Sequence, residues 1–174
     1  MKIIKKLCAT FVVMSTLLAS TGVNAYAALP VEKLSISKTA NHIILIVGHK
    51  NNKNRVTVND YTKSSDGTWT KNWYVNGIAG TNGISTEKRE GDKKTPEGVF
   101  NAMFAFGLKD NPGSLIEYRK ITDGDYWVDD SNSAYYNTWV NTSKVNKDWA
   151  SAEDLKTAYP FYNYALALNY NTEA

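Results

Sequence analysis

Two tetrads have the spacing of a serine nucleophile and its lysine base: Ser35-Ile36-Ser37-Lys38 and Ser85-Thr86-Glu87-Lys88. In that chemistry the lysine sits one helical turn from the serine and takes its proton. Neither tetrad has the accompanying Ser-Asp-Asn or Lys-Thr-Gly, and Lys94-Thr95-Pro96 is as near as the chain comes. Two hits in one short chain show how little the pattern says, and the reading is rejected. Phosphate binding fails on spacing, because Gly91 and Gly98 are misplaced for a phosphate-cradling loop and Val99 stands where its lysine should be. Gly77, Gly80 and Gly83 likewise miss the dinucleotide pattern. The two histidines, His42 and His49, would lie about 23 Å apart on an extended strand. The acidic run from Asp123 to Ser133 lacks the glycine and terminal glutamate of a calcium loop. No metal site is expected.

Aromatic residues are the more informative population. Trp127, Tyr135, Tyr136 and Trp139 crowd one short segment beside Asp129, Asp130 and Asn137. Rings next to carboxylates and amides can stack on a sugar and bind its hydroxyls. The same residues serve equally as core packing with satisfied polar tips, and that use is commoner. Trp127, Asp129, Asp130, Tyr136, Asn137 and Trp139 are therefore the candidates for a substrate cleft.

The elements that must position these groups read as β-structure. His42–Gly48 is a short β-branched apolar run, followed by a polar turn and by Arg55–Lys63, where Val56, Val58 and Tyr61 are expected on one side. Ser64–Gly67 supplies Asp-Gly turn chemistry, and Trp69, Trp73, Val75 and Ile78 mark a third strand of an antiparallel meander. Val99–Gly107 fits strand or helix. The segment from Asp123 reads as a hairpin turn and strand, and Tyr162–Asn171 as a last strand. Ser151 with Asp154 three residues on predicts a short capped helix, stopped by Pro160.

The N-terminus reads as an export signal. Lys2, Lys5 and Lys6 precede the apolar run Leu7–Ser20, too short for a comfortable membrane span, and Ala25 and Ala27 predict cleavage after Ala27. Residues 28–41 form a polar lead, and 42–174 the domain. Three of the 20 basic residues precede Ala28, so the processed chain balances its 17 acidic residues. That neutrality argues against nucleic-acid binding. Cys8, the only cysteine, leaves with the signal, so neither disulfide nor thiol is expected in the processed protein. No later apolar run is long enough to span a membrane.

The segment Gly91-Asp92-Lys93-Lys94-Thr95-Pro96-Glu97-Gly98-Val99-Phe100 resembles the Gly-Asp-x-x-Thr-Pro-x-Gly-x-Phe segment of the L,D-transpeptidase (YkuD-like) catalytic domain. The blocks Gly77–Phe100, Tyr126–Val140 and Tyr162–Asn171 resemble successive parts of one exported branch of that family. The resemblance implies a mainly β, sandwich-like domain with one or two short helices. It further implies acyl transfer on peptidoglycan stem peptides through a cysteine thioester, without metal or organic cofactor, in the wall, periplasm or extracellular space. In the family a histidine and a Ser/Thr-x-Gly-Cys motif follow the strand corresponding to Tyr164–Asn171. Neither is present here, neither His42 nor His49 occupies the matching position, and no catalytic residue is carried over. Gly91, Asp92, Thr95, Pro96 and Gly98 are expected to be a structural loop, with Asp92 anchoring it. The expectation is a domain lacking its catalytic end, with a non-catalytic peptidoglycan- or carbohydrate-binding module as the alternative. A remnant unable to fold is the third reading.

Overall fold

The structure, a computed structural model, describes residues 9–14, 31–158 and 160–172. Among the described residues it is mainly β, with no helix of seven residues or more. The chain forms two compact units, within Met1–Asn101 and Ala102–Ala174.

The first unit is built on strands β1 (Ala9–Met14), β2 (His42–His49), β3 (Asn52–Lys63) and β4 (Trp69–Ile78). The expected meander is present: β2 pairs antiparallel with β3, and β3 with β4. Lys50 and Asn51 make the tight connection between β2 and β3. The connection to β4 turns at Gly67 (φ 89°), which glycine adopts without steric cost. Asp66 accepts hydrogen bonds there from the Ser64 hydroxyl and the Thr68 N–H.

Alternation along β2 sends Ile43 and Leu45 into a core with Val31, Ala40 and Tyr61. Both side chains are fully buried, each contributing about 1.5–3 kcal/mol. Tyr61 is opposite Ile43 in register, whereas Val58 is opposite Ile46. Tyr61 therefore lies on the face away from Val56 and Val58, contrary to the single stripe expected. Part of the polar lead belongs to this core as well. Val31–Lys33 and Ser35–Lys38 are 3₁₀ turns, and the Lys63 ammonium donates to the Ser37 carbonyl at 2.7 Å, tying them to β3.

Strands β5 (Ile84–Ser85) and β6 (Thr95–Pro96) form a two-residue parallel ladder. The ten-residue β7 (Gly98–Gly107) follows; Val99–Gly107 is thus strand and not helix.

In the second unit β7 is flanked by β8 (Tyr118–Lys120), parallel, and β12 (Ala165–Leu168), antiparallel. A separate antiparallel sheet holds β9 (Asp125–Val128) between β10 (Trp139–Asn141) and β11 (Ala152–Asp154). The sheets meet through aromatic rings. Phe106 sits edge-on to Trp139 at 5.3 Å between centroids, and Phe104 stacks on Trp127 at 6.5 Å. Such pairs add about 0.5–1.5 kcal/mol beyond their burial. This is a sandwich-like arrangement.

The helix predicted after Ser151 does not form. Ala152–Asp154 is β11, and Asp154 spends its carboxylate on the Lys156 and Thr157 N–H groups, making a turn. Asp here competes with helix through its own backbone bonds.

Candidate functional site

The loop between β4 and β7 in the first unit is built around one carboxylate. Asp92 accepts the Arg89 N–H at 2.7 Å and the Lys94 N–H at 2.8 Å, and the Lys88 ammonium lies 3.2 Å away. Desolvation pushes this carboxyl up, but the two N–H donors and Lys88 outweigh it and hold the pKa down at about 2. Gly91 (φ 72°) takes the left-handed bend. Thr95 is fixed from both ends: its N–H donates to the Gly83 carbonyl, and its hydroxyl accepts the Gly80 N–H at 2.8 Å. Pro96 pairs in register with Ser85. At Gly98 a side chain would strike the Phe100 ring at 2.9 Å. Asp92 thus closes the turn at Arg89–Lys94, while Thr95, Pro96 and Gly98 are held by Gly80, Gly83, Ser85 and Phe100.

His42 and His49 stand at opposite ends of β2. The His42 imidazole bonds the Asp60 carboxylate at 2.5 Å, and Asn72 donates to the other Asp60 oxygen at 2.7 Å. His49 bonds the Thr57 hydroxyl at 2.9 Å. Among the described residues no group of three or more metal-ligating side chains converges.

The aromatic candidates lie in the second unit. Trp127 and Trp139 lean on the core and satisfy their indole N–H groups. Trp127 donates to Asn137 at 3.2 Å, and Trp139 to Asp125 at 3.1 Å. Asn137 takes a positive φ of 55° and donates to the Tyr170 and Asn171 carbonyls at 3.1 and 2.7 Å, clasping the turn after β12. The Tyr136 hydroxyl accepts from Asn171. Asp130 accepts the Asn132 and Ala150 N–H groups, which lower its pKa. One oxygen of Asp129 is buried without a hydrogen-bond partner. Five of the six candidates are therefore engaged within the protein.

A half-open cleft of about 620 Å³ lies beside Trp139, lined also by Arg119, Lys120, Thr122, Asp125 and Lys144. Asp125 organises its floor. It is buried and accepts from the Thr122 N–H and hydroxyl, Trp139 and Asn141 at 2.7–3.1 Å. Desolvation raises its pKa, but these donors prevail and lower it. The Arg119 guanidinium lies 3.7 Å over the Phe104 ring and pairs with Glu117. Lys120 pairs with Asp110, while Lys144 has no ion-pair partner among the described residues. The sequence reading missed this cleft. The available signal was Thr122 three residues before Asp125, a side-chain–backbone turn pattern.

No family model, no curated protein and no solved structure matches this chain.

Proposed function

We propose that the chain is an L,D-transpeptidase-like cell-wall protein that carries no nucleophile for acyl transfer in residues 28–174. The observation supporting this reading is the loop Gly91–Gly98, in which Asp92 accepts the Arg89 and Lys94 N–H groups and the Thr95 hydroxyl accepts the Gly80 N–H. A generic surface turn would not need the Thr95 hydroxyl or the close Gly80 approach. Acyl transfer in the resembled family needs a thiolate, and the only cysteine is Cys8. Residues 28–174 should release no D-alanine from a tetrapeptide stem. Turnover, or a covalent acyl adduct on the protein, refutes this reading.

A second reading, a non-catalytic wall-binding module, is favoured by the cleft beside Trp139. Its Asn141 amide and Asp125 carboxylate are spent on one another and Asp123 pairs with Lys156, so its available cationic contacts are the Lys144 ammonium and the N–H edge of Arg119 not used by Glu117. These suit the carboxylates of peptidoglycan stem peptides more than sugar hydroxyls. Sedimentation with purified peptidoglycan tests it. Lys144→Gln should weaken retention several-fold at low salt and little at high salt. Retention unaffected by Lys144→Gln and by salt counts against the cleft.

A further inference from the structure

The segment that reads as an export signal also supplies β1, the strand between β2 and Gly98–Asn101 in the first unit. Ala9–Met14 runs parallel to His42–Val47 over all six positions, and Thr10–Val13 pairs antiparallel with Gly98–Asn101. Neighbouring strands stand about 4.8 Å apart, so removing β1 leaves a gap of about 10 Å. Backbone groups cannot bond across it. β2 carries Ile43 and Leu45, the most deeply buried side chains of this unit, directly at the border of the gap. Signal cleavage would thus expose two rows of unpaired N–H and C=O groups facing each other, beside an apolar core. Open strand edges pair readily with another strand.

We propose that the slot between β2 and Gly98–Asn101 is a strand-acceptor site, filled in the processed protein by an extended segment of another polypeptide. The slot defines its occupant. It must offer about six residues without proline, because both of its edges are hydrogen-bonded. It must run parallel to β2 and antiparallel to Gly98–Asn101. Its composition should be uncharged and rich in β-branched or aromatic residues, as in Phe11-Val12-Val13. Main-chain bonds supply the affinity and alternate side chains the selectivity, as in other cases of strand addition. The proposal rests on removal of the N-terminal segment during export, which belongs to the cell-wall reading above.

The test uses residues 28–174 and a synthetic peptide of residues 7–16 with Cys8→Ser. The peptide should raise Tm by about 5–10 °C at a hundred times its Kd. Register is read by disulfide trapping with Phe100→Cys in the protein. A peptide carrying Phe11→Cys should cross-link, because Phe11 and Phe100 are register partners, and directly opposed residues lie within disulfide reach. A peptide carrying Val12→Cys should not, and one carrying Val12→Pro should not bind. If residues 28–174 do not fold alone, refolding with the peptide should recover a cooperative transition. Identical unfolding with and without peptide overturns the proposal, because the slot then closes by itself. Failure to fold even with peptide overturns it too. The full chain with Cys8→Ser, Phe11→Cys and Phe100→Cys must form the same disulfide; its absence removes the basis of the slot. These measurements involve no cell wall, so they can fail while peptidoglycan binding stands, and the reverse.

Discussion

His42→Ala should destabilise the first unit more than its place near a strand end suggests. Asp60 is buried, its side chain 7% exposed, and its two oxygens are held by His42 at 2.5 Å and Asn72 at 2.7 Å. Removing the imidazole leaves one carboxylate oxygen without its partner. Breaking a fully buried pair costs about 3–5 kcal/mol, and leaving a buried neutral group unsatisfied about 1–3. His42 retains 19% side-chain exposure, so water can enter from that side, and the expected loss is about 2–3 kcal/mol. At about 4–8 °C per kcal/mol for a unit of this size, Tm should fall by about 10 °C or more. Circular dichroism during heating reads this directly, with His49→Ala as a control. The discriminating measurement is a double-mutant cycle with Asp60→Asn. In the native background Asp60→Asn should destabilise. With His42→Ala already present it should be neutral or stabilising, because no charge is then stranded. Equal Tm losses for His42→Ala and His49→Ala, or an Asp60→Asn effect of unchanged sign, would refute the argument.

Three further outcomes follow from local geometry. The Asp92 carboxyl has a folded pKa of about 2, below the ordinary value of about 3.9; its stabilisation of the loop is present above pH 4 and lost as pH falls towards 2. Amide protection at Arg89 and Lys94, taken relative to intrinsic exchange at each pH, should fall across that window, and Asp92→Asn should abolish that fall. Gly80→Ala would place a Cβ 2.3 Å from the Lys93 carbonyl oxygen. It should destabilise by about 2 kcal/mol or more in urea titrations, since backbone must move. Trp139→Phe keeps a ring against Phe106 but drops the donor to Asp125, which retains three others; a loss of about 1 kcal/mol is expected, against about 3 for Trp139→Ala.

The strands were legible where alternation and turn chemistry agreed. His42–Gly48 and the β3–β4 hairpin carry β-branched or aromatic runs bounded by Gly, Asn or Asp and are present, whereas of Tyr162–Asn171 only Ala165–Leu168 is strand. The face of Tyr61 was legible in its spacing: it stands three residues after Val58, and in an unbulged strand an odd separation puts the two on opposite sides. Ser151 and Asp154 misled for a different reason: an Asp that caps a helix also closes a turn, and pairing of Ala152–Asp154 with β9 decided between them. The polar lead concealed Val31 and Ala40, which join the core of Ile43 and Leu45, with Leu34 and Ile36 packed against it.

The site was legible in its loop and obscure in its aromatics, and the difference is one of contact order. Asp92 meets Arg89 and Lys94, three and two residues away, so its role is written in a local pattern. Asn137 and Tyr136 are answered by Tyr170 and Asn171, more than thirty residues on, and no local pattern distinguishes a satisfied amide from one awaiting a sugar. Once those partners are known, the chemistry left to the aromatic segment contracts sharply. The indole N–H groups are spent and Asp130 is bonded to the Asn132 and Ala150 N–H groups, so of the six candidates Asp129 alone keeps a carboxylate oxygen without a partner. In the cleft beside Trp139 the groups left open are cationic, the Lys144 ammonium and the outer N–H edge of Arg119.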